Sequence, residues 1–382
     1  MASSLKIAFL TSTDPNDKTA WSGIHFKMYD ALKKKYPNTI AIGPVWDILP
    51  RAIVFFIKKT SWLLFKKRYN KDQNLILSFW YAIFFFPKLR KAKFDLIFAP
   101  SSSSQIAFLK TKIPIYSFGD SSFSQMNGYY PSFSNLSRFS DWESEWIEQK
   151  ALGKAKVRIF ASEWAASHAI NHYHIPKEKA FVVPFGANLL SDDIQDFNIA
   201  KLNDSTCRLL FLGVDWERKG GQLAFETLVY LNQKKVDAEL LVVGCKPPQT
   251  HPKMKVIPFL NKNNSDDYQK FISIFNQTHF LFMPARAECA GIVYAEASAF
   301  YIPSIATNTG GVSTVVENGV NGILLDMEAG AAEYASIIEE YFMNKDLYHK
   351  FALNAHHKYK TVLNWQNWAS EIESIINATF SK

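Results

Sequence analysis

The sequence predicts an α/β protein whose sheets are parallel and covered by helices on both faces. Strand-like apolar runs alternate with helical segments along the chain, as where "LKIAFL" precedes "IHFKMYDALKKKY" and "CRLLFLGV" precedes "GGQLAFETLVYLNQK". This alternation is typical of parallel sheets, and apolar runs without period-two alternation indicate strands buried on both sides. At 382 residues the chain is long enough for two domains, each of roughly 150 to 200 residues.

A polar, loop-like segment near residues 190–205 separates the predicted domains. We assign residues 1–190 to an N-terminal Rossmann-like domain and residues 203–362 to a C-terminal one. Residues 363–382 include an amphipathic helix that we expect to pack back on the N-terminal domain. Ligands of open α/β sheets bind at the carboxyl ends of the strands, so we expect a site in a cleft where the two domains face each other.

The composition excludes several classes of protein. With 48% hydrophobic residues the chain is not disordered. Cys207, Cys245 and Cys289 lie far apart and form neither a disulfide framework nor a zinc motif. The first residues lack the apolar region of a signal peptide, and the longest uncharged apolar stretch, residues 74–87, is too short to cross a bilayer. We therefore expect a cytoplasmic protein.

The positive charge of the chain is concentrated in residues 51–93. This segment holds eleven lysines and arginines and one acidic residue, Asp72, interleaved with aromatic residues. The pattern is typical of an amphipathic helix on an anionic membrane surface, which would place the protein on the inner face of the membrane. A core-facing helix with a basic solvated edge would explain the same pattern. Nucleic acid is not expected as a partner, because no nucleic-acid-binding module accompanies the charge.

One motif with the composition of an anion site is "FLGVDWERKGG", residues 211–221. A strand ends at the Gly213 turn, two cations follow at Arg218 and Lys219, and paired glycines open a helix. Backbone N–H groups at a helix start attract anions, and the fixed cations suit a diphosphate. A solvated basic turn is the alternative interpretation.

The second motif, "HFLFMPARAECAGIVYAEASAF", covers residues 279–300. It predicts a strand, a loop that carries Glu288, and a helix that begins near Gly291 and carries Glu296 on its second turn. The first helical amides have no partner within the helix, so they are free to bind phosphate or sugar hydroxyls. These amides belong to Cys289, Ala290, Gly291 and Ile292. Taken singly, Glu288 is explained as a helix-start carboxylate and Glu296 as a surface residue.

Taken together, the motifs resemble the donor-site signature of retaining glycosyltransferases of family 4, which are two-domain enzymes of the GT-B fold. The resemblance rests on "P-x-x-x-E-x-x-G-I-V-x-x-E-A" followed by "PSIATNTGGV" and "VENGVNGILL", and it spans residues 211–325. It implies that Glu288 contacts the donor sugar and that Glu296 binds the ribose hydroxyls. Arg218 and Lys219 would then hold the diphosphate, and the amides from Cys289 to Ile292 would line sugar and phosphate. The nucleotide base would lie near Phe259 and Leu260.

In the N-terminal half, the resemblance implies that Gly23, at the first helix start, approaches the diphosphate from the opposite side. It also implies that Asp120, after the strand "IPIYSFGD", lies near the anomeric centre, so Asp120 and Glu288 are the catalytic candidates. A turn aspartate is the alternative for Asp120. The sequence departs from the family pattern at Cys289-Ala290, at Tyr301, where a glycine is usual, and at Thr314, where an acid is frequent.

No metal and no cofactor are predicted. Strand-following Asp-x-Asp is absent from the sequence, and His168, His172 and His174 are expected to be surface or packing residues. The resemblance implies a retaining, metal-independent glycosyltransferase that moves a sugar from a UDP- or GDP-sugar to a glycan or lipid-linked acceptor. A non-catalytic nucleotide-sugar-binding subunit of a glycan-assembly complex is the alternative. A sugar epimerase of the same fold is disfavoured by the Glu288/Glu296 pair with its cations.

Overall fold

The computed structural model describes residues 5–380 and divides into two α/β units. The N-terminal unit extends to Val183 and includes the chain from Ala369 onward, whereas the C-terminal unit is Pro184–Trp368. The α/β class predicted from the sequence is confirmed, since each unit has a parallel sheet with helices between most of its successive strands.

In the described part of the N-terminal unit, six parallel strands are ordered β2-β1-β3-β4-β5-β6. The strands are β1 Ile7–Leu10, β2 Ile40–Ile42, β3 Leu96–Pro100, β4 Ile115–Gly119, β5 Val157–Phe160 and β6 Ala180–Val182. The central strands are buried along their length, as expected when helices cover both faces. The strand order reverses between β1 and β3, and ligands of such sheets bind outside this switch point.

The helices of this unit range from single turns to five turns. They are α1 Ile24–Lys35, α2 Ile48–Phe65, α3 Leu75–Ala92, α4 Ser103–Ile106, α5 Phe123–Met126, α6 Arg138–Lys154 and α7 Glu163–Tyr173. Helix α3 is a core helix on one side, because Leu77, Tyr81, Phe85 and Leu89 recur every fourth residue and are buried. The basic segment therefore contributes one helix to the core, whereas α2 is exposed along most of its length.

In the C-terminal unit, the described residues form a second sheet ordered β12-β11-β10-β7-β8-β9. Its strands are β7 Cys207–Leu212, β8 Ala238–Val243, β9 Met254–Ile257, β10 Phe280–Met283, β11 Ser304–Thr307 and β12 Gly322–Leu325. Numbered within the unit, this is the Rossmann order 3-2-1-4-5-6. The switch point lies between β7 and β10, so the loops after these two strands meet at one edge of the sheet.

The helices of the C-terminal unit are α8 Gly221–Gln233, α9 Ser265–Gln277, α10 Ile292–Ala299, α11 Val312–Val315, α12 Ala331–Met343, α13 Lys345–Thr361 and the start of α14 Trp365–Thr379. Helix α14 crosses the division, and its part from Ala369 onward belongs to the N-terminal unit. There Glu373 pairs with Lys35 at 2.7 Å and Thr379 shares a 2.8 Å hydrogen bond with Tyr116. Its apolar residues Ile372 and Ile376 are buried.

Candidate functional site

Two loops at the switch point of the C-terminal sheet are joined backbone to backbone. Residues 213–220 follow β7, and residues 284–291 follow β10. The Arg286 amide donates to the Arg218 carbonyl at 2.8 Å. Gly220 has a φ of +75°, and a Cβ at this position would lie 1.8 Å from the Pro284 carbonyl oxygen. Only glycine permits this approach, which explains the second-last residue of the "FLGVDWERKGG" motif.

The joined loops bring Lys219, Arg218 and Glu288 together. The Lys219 ammonium hydrogen-bonds Glu288 Oε2, and each of these two residues is 8% exposed. Arg218 Nη1 lies 3.7 Å from the same carboxylate oxygen and donates to the Ala287 carbonyl at 2.9 Å. Glu288 therefore faces two cations, one of which, Arg218, also lies 3.6 Å from a carboxylate oxygen of Asp215. Two adjacent cations suit an anion of more than one charge that replaces these carboxylates as their partner.

The helix that follows Glu288 starts as the sequence predicts. Gly291 is the N-cap of α10 with a φ of +64°, and a Cβ there would lie 2.4 Å from the Tyr294 ring. Cys289 and Ala290 are buried beside it. Helix-start amides carry partial positive charge, so this end of α10 adds to the cationic character of the loop pair.

Glu296 is buried and paired, which a surface interpretation of the sequence does not capture. It lies on the second turn of α10 and is 1% exposed. Its Oε1 atom lies 2.6 Å from the Lys262 ammonium nitrogen, with which it forms an ion pair. The Lys262 ammonium also lies 4.1 Å from the centroid of the Phe271 ring. Lys262 belongs to the loop after β9 that carries Phe259 and Leu260, where the base was predicted to bind.

Lys262 was missed by sequence reasoning. It is 34 residues from Glu296 and sits in an irregular polar loop, "NKNNSDD", whose sequence shows no spacing that links it to α10. The pair depends on the fold, which brings the loop after β9 against α10.

The N-terminal candidates lie at the corresponding switch point of their own sheet. Gly23 has a φ of +81° and is the N-cap of α1. Asp120 follows β4 directly and accepts a hydrogen bond from Trp21 Nε1 at 3.3 Å. His25, on the first turn of α1, is 8% exposed and its Nδ1 lies 3.2 Å from the Thr13 hydroxyl. Burial lowers the pKa of His25 to about 4, so this imidazole is neutral at pH 7.

Two of the three neighbouring histidines have side-chain partners in the protein. His168 Nδ1 lies 3.0 Å from the Ser122 hydroxyl, and His172 Nε2 lies 2.8 Å from a Glu145 carboxylate oxygen. His174 ends α7 in a left-handed conformation. Within residues 5–380, no group of three or more His, Cys, Asp or Glu side chains is arranged to hold a metal ion.

One departure from the family pattern has a structural explanation. Tyr301 stands where the family has a glycine, and its φ of +58° is the left-handed conformation that glycine adopts easily. Its ring stacks on His356 with centroids 3.8 Å apart. The stacking offsets part of the backbone strain, so the chain keeps the same turn without glycine. Thr314 lies in α11 and is partly buried.

Comparisons with known proteins agree with these motifs. Residues 192–358 match the family model for glycosyl transferases group 1. A D-inositol 3-phosphate glycosyltransferase from Pseudarthrobacter chlorophenolicus is 23% identical over 205 residues, which are 50% of this chain and 49% of that protein. The chain thus spans about half the length of the curated relative it matches.

Solved structures resemble the whole chain. A sucrose-phosphate synthase from Thermosynechococcus elongatus superposes with a TM-score of 0.67 at 16% identity, covering 98% of this chain and 99% of that one. An Anabaena protein in complex with UDP and glucose gives a TM-score of 0.62 at 15% identity, covering 98% and 100%. The predicted two-domain GT-B fold is confirmed. Residues 192–358 are thus similar to the glycosyl transferases group 1 family, as the motifs indicated.

Proposed function

We propose that the protein is a retaining, metal-independent glycosyltransferase that moves a sugar from a UDP- or GDP-sugar to a glycan or lipid-linked acceptor. The observation that carries the proposal is the cluster of Arg218, Lys219 and Glu288 at the switch point of the C-terminal sheet. This is where α/β sheets bind nucleotides, and Arg218 and Lys219 place two cations side by side there for a diphosphate.

A bound diphosphate would compete with Glu288 for Lys219. Phosphate oxygens form strong charge-assisted hydrogen bonds with ammonium and guanidinium groups, so Arg218 and Lys219 would turn to the diphosphate. Glu288 would then be released to accept hydrogen bonds from the donor sugar. The α10 amides would stabilise the negative charge that develops on the departing diphosphate, a role that a metal ion has in other enzymes.

The Lys262–Glu296 pair supports a nucleotide rather than a simple phosphate. Glu296 would accept hydrogen bonds from the two ribose hydroxyls, and its burial would make those bonds strong. The base would extend toward Leu260. The diphosphate would lie next to Gly213. The Anabaena protein of similar fold was solved with UDP and glucose, which favours testing uridine donors first.

The transfer we propose proceeds on one face of the donor sugar. The bond between the anomeric carbon and the diphosphate oxygen breaks, and a bond to the acceptor oxygen forms on the same face. The proton of the acceptor hydroxyl moves to the departing diphosphate. Asp120 is the N-terminal candidate for a position near the anomeric centre, and Gly23 would approach the diphosphate.

The test is release of nucleoside diphosphate when the full chain is incubated with UDP- and GDP-sugars and a panel of glycan acceptors. The proposal predicts release with one donor class, in the presence of EDTA. Binding of a nucleotide sugar without turnover for any acceptor would favour the alternative, a non-catalytic subunit, which the altered Cys289-Ala290 pair motivates.

We also infer that helix α2 attaches the protein to an anionic membrane surface. Within residues 5–380, no helix has both the length and the apolar content needed to cross a bilayer. The side of α2 that faces the core carries Pro50, Val54 and Ser61. The opposite side, here the α2 outer face, is apolar and exposed, and comprises Ile48, Leu49, Phe55, Phe56 and Leu63.

An apolar patch of this extent on a protein surface indicates an interaction site. Lysines 58, 59, 66 and 67 are exposed. Lys59 lies within the α2 outer face, Lys58 lies at its side, and Lys66 and Lys67 follow the last turn of α2. This combination of exposed apolar residues and cations suits the interface of a bilayer with anionic lipids. Such attachment would bring the protein to a lipid-linked acceptor.

Co-sedimentation with vesicles tests this attachment. We expect binding to vesicles that contain phosphatidylserine, and its loss when Lys58, Lys59, Lys66 and Lys67 are replaced by Glu. The matched control replaces four exposed lysines elsewhere on the same unit, Lys110, Lys112, Lys177 and Lys179. Undiminished binding of the first variant, or equal loss in the control, would contradict the role of α2.

A further inference from the structure

A cavity of about 560 Å³ lies at the switch point of the N-terminal sheet. Its walls come from the loops after β1, β3 and β4, and from residues of α2 and α3 that close one side. The volume is within the range of ligand pockets, roughly 300–1,000 Å³. The cavity is large enough for a sugar unit with its neighbour, and Asp120 forms part of its wall.

Two residues of the cavity wall have a strained backbone. Trp21 has a φ of +48° and Ser101 a φ of +47°, and both line the cavity. A left-handed conformation is a true outlier for a bulky residue such as tryptophan, and strain of this kind clusters at functional sites. The fold therefore holds the Trp21 indole at the cavity wall at an energetic cost.

The wall is rich in hydroxyl and carboxamide groups whose donors are used inside the protein. Ser102 Oγ donates to the Pro100 carbonyl at 2.7 Å, and Ser104 Oγ donates to the Asp72 carbonyl at 2.9 Å. A hydroxyl that donates inward keeps its lone pairs for a ligand. The wall thus offers mainly acceptors, which match the hydroxyl donors of a sugar.

The wall has no uncompensated cation. Arg51 is the one lysine or arginine among the described residues that line the cavity. It pairs with Asp47 at 2.8 Å and with Asp72 at 3.4 Å, and donates to the Tyr81 hydroxyl at 3.2 Å. The neutral His25 adds no charge. A phosphate or carboxylate group has only acceptor oxygens, so it would find neither an unpaired cation nor enough donors at this wall.

We propose that this cavity binds an uncharged sugar unit of the acceptor and discriminates against phosphorylated or carboxylated sugars. The inference rests on the proposed function for its role in catalysis, and it names the substrate class. It also sets this chain apart from the curated relative, whose name specifies a phosphorylated acceptor, D-inositol 3-phosphate.

The experiment measures binding to the full chain directly, without donor or turnover. Saturation-transfer NMR compares methyl glucoside, mannoside and galactoside with their 6-phosphates. We expect at least tenfold weaker binding of the phosphates, and loss of glycoside binding in Trp21→Ala with an unchanged unfolding midpoint. The proposal is overturned if a phosphate binds as tightly as its parent glycoside, or if no glycoside binds in a Trp21-dependent way.

A charge variant sharpens the test. Asp72→Asn removes one of the two carboxylates that neutralise Arg51, at a site that is 58% exposed and tolerant of substitution. We expect the preference for uncharged sugars to fall at least threefold, whereas Asp30→Asn, an exposed control paired with Lys34, leaves it unchanged. Equal preference in parent and Asp72→Asn would contradict the charge argument. If the protein transferred no sugar but still preferred uncharged glycosides, the proposed function would be contradicted and this inference would not.

Discussion

The two units bury carboxylates in different ways. In the C-terminal unit, Glu288 and Glu296 each pair with a lysine. In the N-terminal unit, Glu148 is 5% exposed and accepts its 2.7 Å hydrogen bond from the neutral Gln73 amide. Burial raises the pKa of Glu148 to about 7, and burial also raises the pKa of Glu143. The C-terminal unit pairs these buried carboxylates with lysines, whereas burial in the N-terminal unit favours the neutral, protonated form of its carboxyl groups.

The difference indicates which ligand each unit suits. A paired lysine and glutamate can exchange partners with a charged ligand that offers both phosphate and hydroxyl groups, as a nucleotide sugar does. Among the described residues in the wall of the N-terminal cavity the one cation, Arg51, is already paired with Asp47 and Asp72, so the wall suits a neutral polyol better than an anion. Perturbed carboxylates and ion pairs both occur at functional sites, so the contrast leads to experiments that separate the two.

The largest effect is expected at the Lys219–Glu288 pair. Glu288→Gln and Lys219→Ala should each lower the rate of nucleoside diphosphate release by about 10²–10³-fold, as removal of a charge-stabilising group does. Stopped-assay kinetics with circular dichroism melts would separate turnover from folding. Lys255→Ala, which breaks the exposed Lys255–Glu239 pair, is the control and should keep full activity. Wild-type rates in either site variant would remove these residues from the mechanism.

The next effect concerns the uncompensated Glu148. Its folded-state pKa of about 7 exceeds the ordinary 4.5, so the folded state binds the proton more tightly than the unfolded state. This contribution to stability is full below pH 4.5 and is lost as pH rises through 7. Glu148→Gln should therefore raise the free energy of unfolding at pH 8 by up to about 3 kcal/mol, and by much less at pH 4.5.

Urea unfolding at both pH values checks this expectation. Glu178→Gln, at an exposed position of the same unit, serves as the control and should leave stability unchanged at both. A Glu148→Gln effect of equal size at pH 4.5 and pH 8 would mean that Glu148 is not the source of the pH dependence.

The smallest effect is expected at the Lys262–Glu296 pair. Glu296→Gln should weaken binding of the cognate nucleoside diphosphate about tenfold, since hydrogen bonds to charged groups contribute roughly 1.5–3 kcal/mol. The 2′-deoxynucleotide should bind the parent more weakly than the ribonucleotide does. Glu296→Gln should weaken its binding less than it weakens binding of the ribonucleotide, because only the 3′-hydroxyl remains to contact Glu296. Titration calorimetry measures both, with Glu317→Gln, from the exposed Lys358–Glu317 pair, as control. Full discrimination by Glu296→Gln would place the ribose elsewhere.

The sequence predicted best those parts of the site that are formed by residues close together in the chain. The strand, turn and helix around Lys219 and Glu288 could be predicted, because glycines and helix starts are local features. Lys262 could not, because its partner Glu296 lies on a helix 34 residues further along the chain. The compensation of Arg51 in the N-terminal cavity could not be predicted either, because it depends on contacts that the fold makes between Arg51, Asp47 and Asp72.

The most direct test of the account is thermal unfolding of the full chain with UDP, GDP and ADP in the presence of EDTA. A ligand that binds the folded state at 100 times its Kd stabilises it by about 2.7 kcal/mol. We predict that UDP or GDP raises the unfolding midpoint of the parent and that Lys219→Ala abolishes this rise. No rise with any of the three nucleotides, or an undiminished rise in Lys219→Ala, would contradict a nucleotide site at the Lys219–Glu288 pair.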